Sequence, residues 1–214
     1  MTKNLFNNKQ PKLIVGLTGG IGSGKTAASN LFSEQGVNVV DTDILARQAL
    51  QIGSPLLIKV FNHLGQQLKL EDGSLDRAAL RTLIFNDSNA KNWLEDLVHP
   101  WVKEETFKAL AKANSAYVLL SSPLLIESGQ LNLVDRLLII DIPESLQVER
   151  TRLRDNNPES LVKKIIQQQI SRQERLLQAN DVIDNSQDLN HLKKQVDALH
   201  QQYLQLAFNK AHQE

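Results

Sequence analysis

One octapeptide near the N-terminus constrains this chain more than any other feature. Gly19-Gly20-Ile21-Gly22-Ser23-Gly24-Lys25-Thr26 satisfies the spacing G-x-x-x-x-G-K-[ST] in full. It follows Leu13 to Leu17, an apolar, partly β-branched run that reads as a buried strand. It opens a helical pattern from Lys25 to Gln35, with Ala28, Leu31 and Phe32 on one side and Gly36 as the stop. Glycines let the backbone turn its N–H groups onto phosphate oxygens, and the helix adds its free N-terminal N–H groups and positive dipole end. Gly20, Gly22, Ser23, Gly24, Lys25, Thr26 and Ala27 are therefore the candidate nucleotide-binding residues. Lys25 can reach the β- and γ-phosphates, and the Thr26 hydroxyl can join a magnesium shell. A chain built this way binds ATP with Mg²⁺ at the end of a parallel-sheet strand.

The remainder fits that frame. Val37 to Val40 reads as a second strand closed by Asp41-Thr42-Asp43, and a helix from about Ile44 to Gln51 runs into the break Gly53-Ser54-Pro55. Helical patterns then dominate to about residue 115, interrupted by a turn at Glu71-Asp72-Gly73. Strands return at Tyr117 to Leu120 and Leu137 to Ile140. Helices follow at about Glu144 to Arg154 and Leu161 to Gln178, then a short strand at Asp181-Val182-Ile183 and a final helix. Strands alternating with helices predict an α/β fold, a parallel sheet with helices on both faces. The helical block becomes an insertion at the C-terminal edge of the sheet, where ligands bind in open α/β sheets.

Composition excludes several alternatives. Lys and Arg number 24 against 24 Asp and Glu, so no global field gathers nucleic acid or anionic membrane, and any anion site must be local. The absence of cysteine removes disulfides, zinc thiolates and thiol nucleophiles, and is compatible with a reducing cytosol. Residues 1–11 are polar, lack the apolar stretch of a signal peptide, and read as a flexible leader. No run approaches the ~18 apolar residues of a membrane span. A cytoplasmic protein is expected, with no nucleic-acid or membrane partner and an oligomeric state left open.

A phosphoryl-transfer enzyme needs a carboxylate that orients the acceptor hydroxyl and accepts its proton. Asp41 and Asp43 follow the second strand, beside the glycine loop in a doubly wound sheet. If that strand continues, both point the same way. Asp43 suits a catalytic or magnesium role; capping of the helix that begins near Ile44 is the alternative, and the two can coexist. Arg150 and Arg154 are four apart and share a helix face. Their forks suit a transferring phosphoryl group, or they form a solvated basic face beside Glu149 and Asp155. Lys163, Lys164, Arg172 and Arg175 can extend the same cover. His99, a lone histidine before Pro100, suits a structural or substrate contact better than a base, and Trp93 and Trp101 suit packing.

With these residues in view, the chain resembles the dephospho-coenzyme A kinases from Lys12 to about Phe208. The likeness is carried by Leu17 to Thr26, Val40 to Arg47, His99-Pro100, Pro123 to Glu127 and Val182 to Ser186, in that order. It implies ATP-dependent phosphorylation of the ribose 3′-hydroxyl of dephospho-coenzyme A. It implies a nucleotide-binding core (residues 12–53, 116–149 and 179–210), a coenzyme-A-binding helical insertion (54–115) and a lid (150–178). Asp43 would be the base, Arg47 would lie close to the acceptor, and Arg150 would belong to the lid closing over ATP. Thr42 stands where Ala is usual, and Ile126 where an aromatic residue is usual. Neither change removes a charge or a phosphate ligand.

Other P-loop classes fit less well. A kinase for a nucleoside, nucleotide or shikimate-like acceptor would share the loop but not the ordered motif set. A GTPase needs D-x-x-G and N-K-x-D; the first does not occur, and Asn8-Lys9 is followed by Pro11 where Asp is required. A motor ATPase would need a catalytic Glu after Asp141, where Ile142-Pro143 stand.

Overall fold

The computed structural model describes residues 12–156 and 158–212; the leader read at residues 1–11 lies outside them. Two compact units form: Thr42–Ala111, and the remaining described residues.

The larger unit is built on five parallel strands: β1 (Leu13–Thr18), β2 (Asn38–Asp41), β3 (Tyr117–Ser121), β4 (Arg136–Asp141) and β5 (Asp181–Asp184). Their spatial order is β2-β3-β1-β4-β5. β1 is central, with Leu17 opposite Ser121 of β3 on one side and Leu138 of β4 on the other. β2 pairs only with β3, which sets Asp41 opposite Ser121. The loop that leaves β1 thus opens at the middle of the sheet's C-terminal edge.

Alternation along the strands builds two buried faces. Leu13, Val15 and Leu17 of β1 with Tyr117 and Leu119 of β3 pack against α1 (Lys25–Glu34) and α9 (Leu189–His212). From α1 this core takes Ala28, Leu31 and Phe32, and from α9 Leu192, Val196, Tyr203 and Ala207. Val118 and Leu120 point the opposite way along β3 and are fully buried too, so both faces of that strand are covered. Tyr203 also closes a polar network: its hydroxyl donates to Asp181 Oδ2 (2.9 Å), which receives Arg136 Nε (2.5 Å).

The smaller unit holds α2 (Thr42–Ala49), α3 (Pro55–Leu64), α4 (Arg77–Asn86) and most of α5 (Ser88–Lys112). Its core joins Ala49 and Leu50 to Leu57, Val60, Phe61, Leu80 and Val98, so α2 packs with the helices beyond Gly53. Trp93 and Trp101 pack against this core, and Trp93 stacks on His63 with centroids 4.0 Å apart. Side-chain caps start its helices: Ser54 Oγ accepts from Leu56 N, and Asp76 Oδ1 from Ala78 N and Ala79 N. The Glu71-Asp72-Gly73 turn joins a short antiparallel bridge between Lys69 and Leu75.

Two readings of local structure need correction. The helix expected from Leu161 to Gln178 is two helices, α7 (Glu159–Gln168) and α8 (Arg172–Leu177). A capping box restarts the second: Ser171 accepts from Glu174 N, and Glu174 reaches back to Ser171 N. The second strand does not continue past Asp41 either; α2 begins at Thr42, and Asp43 sits in its first turn. A carboxylate there suits the positive helix end.

Candidate active site

The glycine loop leaves β1 at Thr18 and re-enters regular structure at Lys25. Ser23 N donates back to Gly20 O (3.1 Å), closing the loop. Gly24, at φ 90°, forms the N-cap of α1, and its carbonyl accepts the first helical hydrogen bond from Ala28 N (3.1 Å). The left-handed backbone there favours glycine, and a Cβ would collide with the Asn185 side chain. Gly22, at φ 73°, lies under α6 (Glu144–Asp155): a Cβ would come within 2.6 Å of Thr151 Oγ1 and 2.8 Å of Gln147 O. A helix thus rests directly on the phosphate loop. Ser23 Oγ and Thr151 Oγ1, both buried, have no hydrogen-bond partner among the described residues.

Lys25 is aimed along the sheet edge. Its ammonium donates to Ser121 Oγ (3.2 Å), which donates to Asp41 Oδ2 (2.8 Å). Asp41 Oδ2 also lies 3.9 Å from Lys25 Nζ, and these side chains are only 14% and 12% exposed. The charge is held in a partly desolvated place rather than released to water. Thr26 is exposed beside it, and Ala27 packs against the core of the larger unit.

A second set of side chains braces the loop from the opposite edge. Asn185, 7% exposed and just past β5, donates from Nδ2 to Ser23 O (2.8 Å). Its own N–H bonds Asp141 O (2.9 Å), and its carbonyl accepts from Arg150 Nη1 (2.9 Å). Arg150 is thus one residue removed from the phosphate loop. Arg154, its partner on the helix face, instead pairs with Asp155 (2.7 Å), and Arg152 with Glu159 (3.3 Å). Lys163 also pairs with Glu159 (2.8 Å). Of the basic residues proposed for a cover, Arg150, Arg172 and Arg175 are drawn inward, Arg172 by pairing with buried Asp141. Arg175 is 6% exposed, and burial disfavours its charge, offset in part by Glu127 and Asp141.

Asp43, Arg47 and His99 lie in the unit Thr42–Ala111. Asp43 and Arg47 are four apart on α2, so they share a face, and both are exposed. His99 is exposed on α5 next to buried Val98. Two positions carry contacts that sequence reading did not assign. Asn185 had a visible signal, the Asp184-Asn185-Ser186 end of the last strand. Gln169, whose Oε1 accepts from Ile21 N of the loop (3.0 Å), had none. Among the described residues no group of three or more His, Cys, Asp or Glu could hold a metal ion. No described helix is long and apolar enough to cross a membrane.

A phosphate loop on the central strand of a 2-3-1-4-5 parallel sheet, its lysine held by a carboxylate two strands away, defines a P-loop kinase. Comparison with known proteins narrows the class. A family model described as dephospho-CoA kinase matches residues 13–191, and the chain belongs to that family. A dephospho-CoA kinase of Aggregatibacter actinomycetemcomitans is 48% identical over 198 residues, 91% of this chain and 96% of that protein. One of Shewanella oneidensis is 46% identical over 198 residues, 92% of this chain and 97% of that protein. The solved structure of a dephospho-CoA kinase from Campylobacter jejuni superposes with a TM-score of 0.68 at 26% identity, covering 91% and 98% of the two chains.

Proposed function

We propose that this protein transfers the γ-phosphate of ATP to the ribose 3′-hydroxyl of dephospho-coenzyme A, yielding coenzyme A and ADP. The observation that carries the chemistry is the Lys25–Ser121–Asp41 chain at the mouth of the phosphate loop. It holds an ammonium in position before any substrate arrives, so little reorganisation is needed as charge develops on the transferring group. Membership of the family carries the acceptor's identity.

In this reading the N–H groups from Gly22 to Ala27 hold the phosphates, and Lys25 stabilises charge on the γ-phosphoryl group. Asp43 takes the proton from the 3′-hydroxyl as the new O–P bond forms and the bond to the β-phosphate oxygen breaks, and ADP leaves. Arg47 and His99 contact the acceptor. Arg150, held on Asn185 O, adds a fork for the phosphoryl oxygens as residues 150–178 close over ATP. Residues 54–115 supply the acceptor-binding surface.

When bound, magnesium would neutralise charge on the triphosphate. The exposed Thr26 hydroxyl and the absence of a three-acid cage among the described residues suit an ion that takes most ligands from phosphate and water. We assign Thr26 to hold it. The enzyme works in the cytoplasm on a small molecule, without nucleic acid or membrane. The test is ADP release with dephospho-coenzyme A against a panel of gluconate, shikimate and nucleoside acceptors. Turnover confined to dephospho-coenzyme A supports the reading, and faster turnover of another acceptor contradicts it.

A further inference from the structure

We propose that Gln169 is a positioning residue of the phosphoryl-transfer site, fixing the phosphate loop at Ile21; this rests on the loop's binding the triphosphate. Gln169 is the residue at which α7 ends, and its backbone turns extended, with φ −89° and ψ 158°. The chain therefore leaves the helix there, and the side chain reaches the loop 148 residues away in sequence, at 3.0 Å from Ile21 N. A backbone N–H requires an acceptor, so the amide oxygen must face Ile21 and the NH₂ group must point elsewhere.

The segment that carries Gln169 is itself anchored at several independent points. Ile170 N donates to Glu127 Oε1 (3.1 Å), and Ile170 O accepts from Arg175 Nη2 (2.8 Å). Arg172 forks onto Asp141 through Nε (2.9 Å) and Nη2 (2.6 Å). Arg175 Nη1 lies 3.0 Å from where a Cβ of Gly20 would stand, so the buried guanidinium covers the loop's second residue. In this arrangement Gln169 is thus a short arm held at several points, and it engages Ile21 immediately before the run of N–H groups that would meet the phosphates. Reactions of this kind are sensitive to small displacements: about 1 Å at a positioning contact can cost about 10²-fold. An arm that sets one end of the loop sets the aim of the rest.

The test uses the full chain with Gln169→Met, which keeps side-chain length and removes the acceptor, and Gln169→Glu, which keeps it. ATP affinity measured by calorimetry needs no acceptor substrate. Gln169→Met is expected to weaken ATP binding about tenfold, the scale of one lost hydrogen bond. It should also lower kcat several-fold while leaving KM for dephospho-coenzyme A and the melting temperature near wild type. Gln169→Glu restores a partner for Ile21, so its kcat at saturating ATP should return to within about threefold of wild type, with KM for ATP raised by repulsion. Wild-type behaviour of Gln169→Met would overturn the inference alone. So would equal kcat losses in both variants, or an activity loss that follows a fall in melting temperature. Failure of the wild-type chain to bind ATP would overturn the triphosphate reading, and this inference with it.

Discussion

Lys25 Nζ stands 3.9 Å from Asp41 Oδ2 with the Ser121 hydroxyl bridging the two. Residues from the phosphate loop, β2 and β3 thus meet at one point of the sheet edge. Asp41 accepts from Ser121 and so orients the hydroxyl that receives the lysine. Replacing Lys25 by Ala should lower kcat by roughly 10²-fold or more, the scale of other lost electrostatic donors. Asp41→Asn keeps the shape and removes the charge that holds Lys25, and should cost less, about tenfold. Steady-state turnover at saturating ATP checks both, and a Lys25→Ala enzyme of near-native kcat would remove the lysine from the mechanism.

Asp43 separates chemistry from nucleotide binding. Asp43→Asn should reduce kcat about 10²- to 10⁴-fold while ATP binding stays largely intact, because the acceptor's proton loses its base. Calorimetry with ATP and single-turnover assays with prebound acceptor distinguish the outcomes. Lost ATP affinity with surviving turnover would contradict the assignment.

Arg150→Ala should lower kcat more than it weakens dephospho-coenzyme A binding. It also releases Asn185 O, the carbonyl that Arg150 now holds. Hydrogen exchange across residues 150–178 should slow when ATP and acceptor analogue are both bound. Equal exchange in the empty and fully occupied enzyme would leave this segment without a closing role.

Tyr203→Phe tests the core beneath the site. It removes the hydroxyl that donates to Asp181 while Arg136 remains on that carboxylate. Burial raises the Tyr203 pKa well above the usual phenol range, so the hydroxyl is protonated and donating at neutral pH. The loss should be about 1–1.5 kcal/mol in urea unfolding, with kcat unchanged. A loss of several kcal/mol would mean that the ring contacts with Phe32 and Tyr117 had also been disturbed.

Much of the framework was legible because local signals agreed with the tertiary result. β1, the glycine loop and α1 form a strand, turn and helix whose residues cannot comfortably do anything else. The break within 161–178 is written in the sequence as Ser171-x-x-Glu174, but no glycine or proline between 161 and 178 marks it. Asp43 was ambiguous because a carboxylate serves a strand end and a helix start alike. The Asp41–Ser121 contact joins residues 80 apart, and only the order of strands brings them together. The same holds for Gln169 and Ile21: they lie 148 residues apart, and a glutamine at a helix end gives no sign of its partner.

The most direct test of the central claim is the reaction of the purified chain with ATP, magnesium and dephospho-coenzyme A, with ADP counted by a coupled assay and the product weighed by mass spectrometry. The account predicts coenzyme A, which is dephospho-coenzyme A with one phosphoryl group added at the 3′-oxygen, formed mole for mole with ADP. It also predicts loss of that product when magnesium is chelated. ADP release that is independent of dephospho-coenzyme A, or a product phosphorylated elsewhere, would contradict it.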